Sequence, residues 1–150
     1  MRTTAQLATE ADLSELAQLR NAWTAEIEPG ADDAAFAGRF SSWMDEERGR
    51  RTFWIARDDG CPVGMVNLLV VERMPRPRQP AGRWGYLGNL FVLPGDRRSG
   101  VATLLVEALL ADAGARGLER VIAHPNERSL PFWRRSSFGE ASDLLVCHLS

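Results

Sequence analysis

Strand-like patterning dominates the middle of the chain. Two stretches, 52–57 and 62–71, are rich in apolar and β-branched residues, and Asp58-Asp59-Gly60 between them is a strong turn signal. This pattern predicts an antiparallel hairpin. A third apolar run, 87–93, stops at Pro94-Gly95, where proline cannot donate to a sheet and glycine frees the turn. That run predicts a buried strand.

At Gly100 the period changes from that of a strand to that of a helix. Apolar residues then recur at intervals of three and four, which predicts a helix with one buried face at Val101, Leu104, Leu105, Ala108 and Leu109. Gly117 is a natural end for this helix. The next segment, 119–124, predicts a strand parallel to 87–93, as a strand–helix–strand unit requires.

Weaker patterns predict the remaining elements. Asp12, with Glu15 three residues later, has the spacing of a capping box and predicts a helix start. Segment 72–82 contains three prolines and three arginines, which excludes a regular element. The other expected elements are a strand over 3–9, a helix opening at Asp32-Asp33 with Phe36, Phe40 and Trp43 on one face, a short helix over 129–136, and a closing strand over 143–149.

The turn between the third predicted strand and the long helix has the composition of an anion site. Residues 97–102, Arg-Arg-Ser-Gly-Val-Ala, include small residues that let backbone N–H groups approach a ligand closely. The first N–H groups of a helix have no partner within it, and the helix dipole adds partial positive charge there. Arg97 and Arg98 strengthen that attraction. We therefore expect the turn to bind a phosphate group.

Spacing separates three phosphate-binding motifs at this turn. Gly95 and Gly100 have the separation of P-loop glycines, but Val101 and Ala102 occupy the positions of the required Lys and Ser/Thr. A dinucleotide fingerprint needs three glycines, of which only one is present. The turn instead resembles the Arg/Gln-x-x-Gly-x-Gly/Ala signature of the GCN5-related N-acetyltransferases, with Arg97, Gly100 and Ala102 at the matching positions.

This resemblance covers nearly the whole chain. Segment 7–13 resembles the family's opening, and 126–138 resembles its Asn-x-x-Ala-x-x-x-Tyr-x-x-x-Gly-Phe segment. The resemblance implies a single N-acetyltransferase domain over 1–150. It also implies an α/β fold of the mixed α+β kind, in which about four helices flank a mostly antiparallel central sheet and strands 4 and 5 form a splayed parallel pair.

Acetyl-CoA is the co-substrate that the resemblance implies, with no metal. In the family the pantetheine arm inserts between strands 4 and 5, and the turn after strand 4 holds the pyrophosphate. A backbone N–H near Phe91 would polarise the thioester carbonyl. Asn126 would meet the pantetheine or the acceptor, and Trp133 would lie along the pantetheine or adenine arm. The implied CoA-binding residues are Leu90, Phe91, Val92, Arg97, Arg98, Ser99, Gly100, Val101, Ala102, Thr103, Asn126 and Trp133.

Departures from the family pattern bear on catalysis. Gly88 stands where many relatives have a Glu base, and Trp133 stands where they have a Tyr that protonates the thiolate. An indole N–H is not an acid at working pH. The family's final Gly-Phe is here Ser137-Phe138. The candidate catalytic residues are Glu72 at the end of the third strand, Asn89 beside Gly88, and Tyr86, the only tyrosine in the chain.

Several polar residues keep two interpretations. His124 precedes Pro125, where a lone histidine is more often structural than catalytic. Asn67 either has a hydrogen-bond partner or faces the cleft. Four acidic residues lie before and at the start of the second predicted helix: Glu26, Glu28, Asp32 and Asp33. They either attract a cationic substrate or are solvated residues at a helix start, where the helix dipole favours negative charge.

Composition limits the partners. A net charge of −2, from 18 basic and 20 acidic residues, argues against nucleic acid, which requires a dominant basic face. All the basic residues are arginine. Cys61 and Cys147 have no metal-ligand spacing, and no apolar run approaches the length of a membrane span. We expect a cytoplasmic protein without metal, nucleic acid or membrane partners, and a homodimer stays open.

Together these features predict a transferase of the acyltransferase class, an acetyltransferase. It would transfer the acetyl group of acetyl-CoA to a primary amine of a small molecule or peptide by direct attack in a ternary complex. Glu72 would take the ammonium proton directly or through water. The alternative is an acetyl-CoA-binding sensor or regulatory module without turnover, because the usual acid and base are missing.

Overall fold

A computed structural model describes residues 2–149 and contains one five-stranded sheet. The strands lie in chain order: β1 (Thr3–Leu7), β2 (Arg51–Asp58), β3 (Cys61–Glu72), β4 (Arg83–Val92) and β5 (Val121–Ala123). The first three junctions are antiparallel, whereas β4 and β5 are parallel. This confirms the mixed sheet and its one parallel pair.

Helices cover both faces of the sheet: α1 (Leu13–Ile27), α2 (Phe36–Glu47), α3 (Val101–Ala115) and α4 (Leu130–Arg135). Short 3-10 turns lie at Glu10–Asp12 and Pro94–Asp96. Successive side chains of β2 point to opposite faces of the sheet: Phe53 and Ile55 pack toward α1, and Trp54 and Ala56 pack toward α3. In the described part of the chain, no helix is long and apolar enough to cross a membrane.

The start of α1 differs from the prediction. Asp12 is the N-cap residue of α1 but makes no side-chain cap hydrogen bond to the helix. The capping box belongs instead to the 3-10 turn before it, where the Thr9 N–H donates to Asp12 Oδ2 (2.8 Å) and the Ala11 N–H donates to Thr9 Oγ1 (3.3 Å). Arg57 of β2 donates to Asp12 and, at 2.7 Å, to Glu15 Oε1. The hydrogen bond from the Thr9 N–H, with Arg57, lowers the pKa of Asp12 below its ordinary value. This ionic group holds the start of α1 on the sheet.

The predicted closing strand over 143–149 is wrong. Among the described residues this segment forms no strand, and its side chains are exposed, Leu145 completely. The neighbouring edge strand, β5, has only three residues and therefore offers few backbone hydrogen bonds to a further strand. An ion pair between Arg120 and Asp143, at 2.8 Å, attaches the start of the segment to the protein.

An extra residue in β4 forms a bulge opposite β3. Gly88 pairs with Asn67 and Phe91 pairs with Met65, so three steps along β4 match two along β3. Asn89 has φ +55°, a left-handed conformation that asparagine adopts more readily than most residues. Because of the bulge, Gly88 and Phe91 both face α1, whereas an unbroken strand would turn them to opposite faces.

Candidate active site

A buried amide holds the bulge in place. The Asn67 side chain is fully buried, its Nδ2 donates to Asn89 Oδ1 (2.7 Å), and its Oδ1 accepts from Arg51 Nη1 (2.7 Å). A buried amide with both ends bonded rigidifies its surroundings, because either bond left unmade would cost desolvation energy. Asn67 therefore fixes the position of the Asn89 side chain. The sequence left open whether Asn67 has a hydrogen-bond partner or faces the cleft, and the structure shows the hydrogen-bonded arrangement.

Arg51 is in turn supported from α2. Its guanidinium carbon lies 5.0 Å from the Trp43 ring centroid, and its Nε lies 3.6 Å from Glu47 Oε2. Burial raises the pKa of Glu47, but the hydrogen bond from Arg50 and the charges of Arg51 and Arg50 outweigh burial and lower the pKa. Glu47 thus stays a carboxylate beside Arg51. The contacts run from α2 through β2 and β3 to the bulge in β4.

Beyond a short paired segment, β4 and β5 separate. Their pairing ends at Leu87 with Ala123, although β4 continues to Val92. The Leu93 N–H donates to a β3 carbonyl at 2.8 Å, and alternation along the strand turns the N–H and C=O groups of Leu90 and Val92 away from β3. Those backbone groups face the gap between β4 and β5. An extended ligand in the gap can pair with them as an added strand does.

The turn after β4 presents free backbone N–H groups. Arg98 (φ +62°) and Gly100 (φ +89°) are both left-handed, and Gly100 is the N-cap of α3. Within the described residues no acceptor takes the first N–H groups of α3, those of Val101, Ala102 and Thr103. A Cβ at Gly100 would have no neighbour within 4 Å, so the turn is open on this side. A row of free N–H groups at a helix start suits a diphosphate.

Side chains in this turn differ in exposure. Val101 is buried in the core and Ala102 is half-buried, so the two contribute backbone groups to the open side. Arg98, Ser99 and Thr103 are exposed. The Arg98 guanidinium and the Thr103 hydroxyl therefore remain next to the N–H groups as further donors to an anion, whereas the Ser99 hydroxyl already donates to the Asp96 carbonyl.

Arg97 is bonded to α1 and to the end of β4. Its Nη1 and Nη2 donate to Glu26 Oε1 (2.8 Å) and Oε2 (2.7 Å), and its Nε donates to the Val92 carbonyl (2.9 Å). The hydrogen bonds between the two side chains lower the pKa of Glu26 and raise the pKa of Arg97. Arg97 thus joins the turn to α1, and its expected place among the CoA-binding residues stays a prediction. Its charge also neutralises Glu26.

Four side chains form a continuous stack from α1 to the turn. The Arg20 guanidinium carbon lies 4.6 Å from the Trp23 ring centroid. The Trp23 and Phe91 rings are parallel to within 7°, with centroids 5.4 Å apart. The Arg97 guanidinium carbon lies 5.7 Å from the Phe91 centroid. Since Phe91 follows the bulge residue Asn89 by two positions, this stack connects α1, the bulged strand and the turn.

A cleft of about 280 Å³ opens beside the bulge on the α1 face. We call it the aromatic cleft. Its apolar walls are formed by Phe36, Phe40, Trp43, Phe53 and Met65, and Asn89 of the bulge lies at one end. Arg20 and Arg39 supply its charge. Arg39 contacts both carboxylate oxygens of Asp33, and this hydrogen bonding lowers the pKa of Asp33.

Tyr86 and His124 meet where β4 and β5 part. Their ring centroids are 5.9 Å apart. Both side chains lie on the α1 face, because their neighbours Leu87 and Ala123 pack toward α3. A methyl group placed on Gly88 would lie 3.5 Å from Tyr86 Cε1. The structure therefore brings the predicted residue Tyr86 close to the bulge, together with His124.

Glu72 lies far from the bulge. It is exposed and pairs with Arg83 at the last position of β3, five residues beyond Asn67. At about 3.4 Å a residue, five residues span roughly 17 Å along the strand. A hollow of about 870 Å³ under the loop that follows Glu72 is equally remote from the bulge. The distance argues against Glu72 as the base.

Asn126 and Trp133 are engaged within the protein. Asn126 Oδ1 accepts from the Ser129 N–H (2.8 Å), and the Asn126 N–H donates to Ser129 Oγ (3.0 Å), a reciprocal pair at the start of α4. The Trp133 indole Nε1–H donates to the same Oγ (3.2 Å), and the ring centroid of Trp133 lies 5.2 Å from that of Phe132 and 5.1 Å from that of Phe138. With 7% of its surface exposed, Trp133 is a core residue with little ring left for the expected contact with CoA.

Sequence patterns did not single out Arg20 or Arg51, and they favoured a structural role for His124. The available signals were weak ones. Arg51 is a charge at the start of a buried strand, His124 directly follows a strand of the splayed pair, and Arg20 precedes Trp23 at a helical spacing of three. Each of these residues can be assigned to the site only when the pairing of the strands is known.

Comparison with known proteins agrees with this arrangement. The sequence model of the acetyltransferase (GNAT) family matches residues 13–138. No curated protein matches the chain. One similar solved structure is a GCN5-related N-acetyltransferase from Ralstonia eutropha JMP134, with 24% identity, 98% of this chain and 99% of that chain covered, and a TM-score of 0.72.

Two further structures are similar at lower identity. A predicted acetyltransferase from Clostridium acetobutylicum, solved with acetyl-CoA, has 17% identity, covers 98% of this chain and 96% of its own, and has a TM-score of 0.76. An aminoglycoside acetyltransferase from an uncultured soil metagenomic sample, in complex with sisomicin, has 16% identity, coverages of 99% and 95%, and a TM-score of 0.79. These likenesses show the fold. Since the family match spans most of its length, the chain belongs to the acetyltransferase (GNAT) family.

Proposed function

We propose that this acetyltransferase transfers the acetyl group of acetyl-CoA to a primary amine by direct attack in a ternary complex. The observation that carries the proposal is the bulge in β4, which lies between two features. The gap and the free N–H groups of α3 lie on one side, and the aromatic cleft lies on the other. An extended diphosphate ligand and an acceptor can therefore approach the same point of one strand from different sides.

The residues of the gap and the turn fit acetyl-CoA. The N–H and C=O groups of Leu90 and the N–H group of Val92 would pair with the pantetheine amides, since Arg97 already donates to the Val92 carbonyl. The N–H groups of 101–103 would hold the pyrophosphate. The Clostridium relative, solved with acetyl-CoA, supports this choice of ligand. When bound, acetyl-CoA supplies an activated acyl group as a thioester. The Leu90 N–H, next to the bulge residue Asn89, would polarise the thioester carbonyl.

An attacking ammonium group must first lose a proton. His124 is the best-placed acceptor, because it lies on the α1 face where the strands part, and imidazole commonly acts as a general base. Tyr86 flanks the imidazole and orients it. His124 takes one proton of the ammonium group, and the neutral amine nitrogen then bonds to the carbonyl carbon. The C–S bond breaks, the nitrogen loses its second proton to solvent, and solvent protonates the departing thiolate. No covalent intermediate on the protein is required.

Asn89 orients the acceptor. Its Oδ1 accepts from Asn67, and within residues 2–149 its Nδ2 has no hydrogen-bond partner. The amide N–H groups at the end of the aromatic cleft are therefore available to a polar atom of the acceptor.

Free-thiol release from acetyl-CoA across a panel of amines tests the proposal. Release that depends on an amine, with the acetylated amine identified by mass spectrometry, would support it. The alternative, an acetyl-CoA-binding sensor or regulatory module, is favoured by one observation: among the described residues no carboxylate lines the aromatic cleft. Tight acetyl-CoA binding without thiol release for any amine would favour that alternative.

A further inference from the structure

We infer that the acceptor is a primary amine that carries a carboxylate and a flat apolar group, as an aromatic amino acid does, and that Arg20 binds its carboxylate. The inference rests on the proposed function, because it specifies the acceptor of the same reaction. The charge, the shape and the free donors of the aromatic cleft carry it.

The charge of the aromatic cleft disfavours a polycation. In the part of the chain that the structure describes, two arginines line the cleft and no Asp or Glu does. Two nearby acids are already paired, Glu26 with Arg97 and Asp33 with Arg39. A polyamine or an aminoglycoside would bring several positive charges toward guanidinium groups without a compensating carboxylate. An acceptor with its own carboxylate is attracted by the same field.

Arg20 is the cleft arginine whose N–H donors are available to a ligand. Over residues 2–149 no carboxylate oxygen lies within 4 Å of its guanidinium, which donates to Thr24 Oγ1 at 3.1 Å. The Trp23 ring beneath it, at 4.6 Å, holds the guanidinium in place. A guanidinium held in this way can present two N–H groups to the two oxygens of a carboxylate. Arg39, in contrast, already makes a two-point contact with Asp33.

The walls of the aromatic cleft favour a flat apolar group. Ring centroids lie 5.6 Å apart for Phe36 and Phe40 and 6.1 Å apart for Phe40 and Trp43. A further aromatic ring among them gains edge or stacking contacts in addition to burial. A volume of about 280 Å³ is at the lower end for ligand pockets. It suits an amino acid with one or two rings and not a chain of linked sugars.

The same arrangement directs the amine to the bulge. Trp23 is the single ring between Arg20 and Phe91, and Phe91 follows Asn89 by two residues. A carboxylate on Arg20 therefore lies close to the thioester end of the site. In an α-amino acid the amine and the carboxylate share one carbon, so the amine points toward Asn89 while the side chain extends among the aromatic rings.

The first test compares acceptors that differ only in the carboxylate. Initial rates of thiol release from acetyl-CoA are measured for phenylalanine against phenethylamine and for tryptophan against tryptamine. We expect kcat/KM to be about 10- to 100-fold higher for each amino acid, the range of a charge-assisted hydrogen bond. Kanamycin serves as the polycation and is expected to be a poor substrate.

The second test removes the charge at Arg20. Arg20→Gln keeps a long polar side chain, and it should raise the KM for phenylalanine about 10- to 100-fold while changing that for phenethylamine less than about threefold. Arg39→Gln is the comparison at the rim of the same cleft. Its effect on the KM for phenylalanine should be smaller than that of Arg20→Gln, because Asp33 already balances Arg39. Thermal unfolding checks that both variants are folded.

The outcomes separate the inference from the proposed function. Equal rates within each pair, equal losses for both acceptors in Arg20→Gln, or turnover of kanamycin alone would overturn the inference and leave amine acetylation standing. If no amine releases thiol, the proposed function fails. Calorimetry of phenylalanine against the acetyl-CoA complex then decides: binding that Arg20→Gln weakens supports the acceptor site, and the absence of binding overturns it.

Discussion

The two sides of the β4 bulge are built in different ways. On the turn side, consecutive residues from Arg98 to Thr103 present backbone N–H groups, and their side chains matter chiefly through the conformations they allow. On the cleft side, side chains from α1, α2, β2, β3 and β4 meet in space. The turn site should therefore be sensitive to backbone conformation, whereas the cleft site should be sensitive to the removal of single contacts.

Gly100→Glu should break the turn side most completely. The left-handed φ of +89° strains any other residue, and the added carboxylate repels a diphosphate. We expect the affinity for CoA in calorimetry to fall about a hundredfold or more, because several charge-assisted hydrogen bonds are lost together. Gly95→Glu is the matched control, since it adds the same charge in the preceding 3-10 turn without a positive φ. Equal losses in the two variants would contradict the role of the turn geometry.

His124→Gln should leave CoA affinity intact and lower kcat/KM for the amine by about the 10²- to 10⁴-fold typical of a lost general base. Glu72→Gln is the matched control, because Glu72 lies at the far end of β3. Its rate should stay within about threefold of the wild type. A large loss in Glu72→Gln with none in His124→Gln would restore Glu72 as the base.

Two substitutions of Asn89 distinguish the effect of its backbone conformation from the effect of its side chain. Asn89→Gly preserves the left-handed conformation and loses the contact with Asn67, which should lower kcat/KM about tenfold. Asn89→Val places a β-branched residue at φ +55° and should also lower the free energy of unfolding by about 1–3 kcal/mol. Steady-state rates and chemical denaturation measure the two effects. Identical behaviour of the two variants would mean that the bulge does not depend on this conformation.

Asp12→Asn should have the smallest effect and should spare the turn side entirely. The folded-state pKa of Asp12 is lowered, so its charge stabilises the protein above the unfolded value of 3.8 and this contribution disappears as the pH falls through the folded pKa. The difference in unfolding free energy between wild type and variant should be about 1 kcal/mol at pH 7, the size of an ion pair near the surface, and should vanish in strong acid. Denaturation at several pH values measures it. A difference that grew as the pH fell would have the wrong sign.

Sequence patterns could predict the turn side because its residues are contiguous. The strand 87–93, the break at Pro94 and the helix stripe from Val101 follow from periodicity, and the positive φ of Gly100 accounts for the glycine of the motif. The parallel pairing of β4 with β5 follows from the helix between them. Residues that are neighbours in the sequence are therefore sufficient to predict the turn side.

On the cleft side the same patterns were insufficient. Asn67 acquires its role from Arg51, 16 residues away, and from Asn89, 22 residues away, and neither spacing has a period. The bulge also reverses which residues of β4 share a face, so alternation alone misplaces Gly88 relative to Phe91. For Arg97, a motif position shared with phosphate binders did not reveal the carboxylate of Glu26, which lies 71 residues earlier.

Arg20, Trp23, Phe91 and Arg97 form one stack, so we expect the two substrates of the proposed reaction to bind cooperatively. Arg97 lies in the turn and donates to the Val92 carbonyl at the end of β4, while Arg20 lines the aromatic cleft. A ligand that orders one end of the stack would reduce the entropy that the other ligand must remove, and this would give positive cooperativity without a change of fold. By thermodynamic linkage, the factor by which acetyl-CoA tightens acceptor binding equals the factor by which the acceptor tightens acetyl-CoA binding.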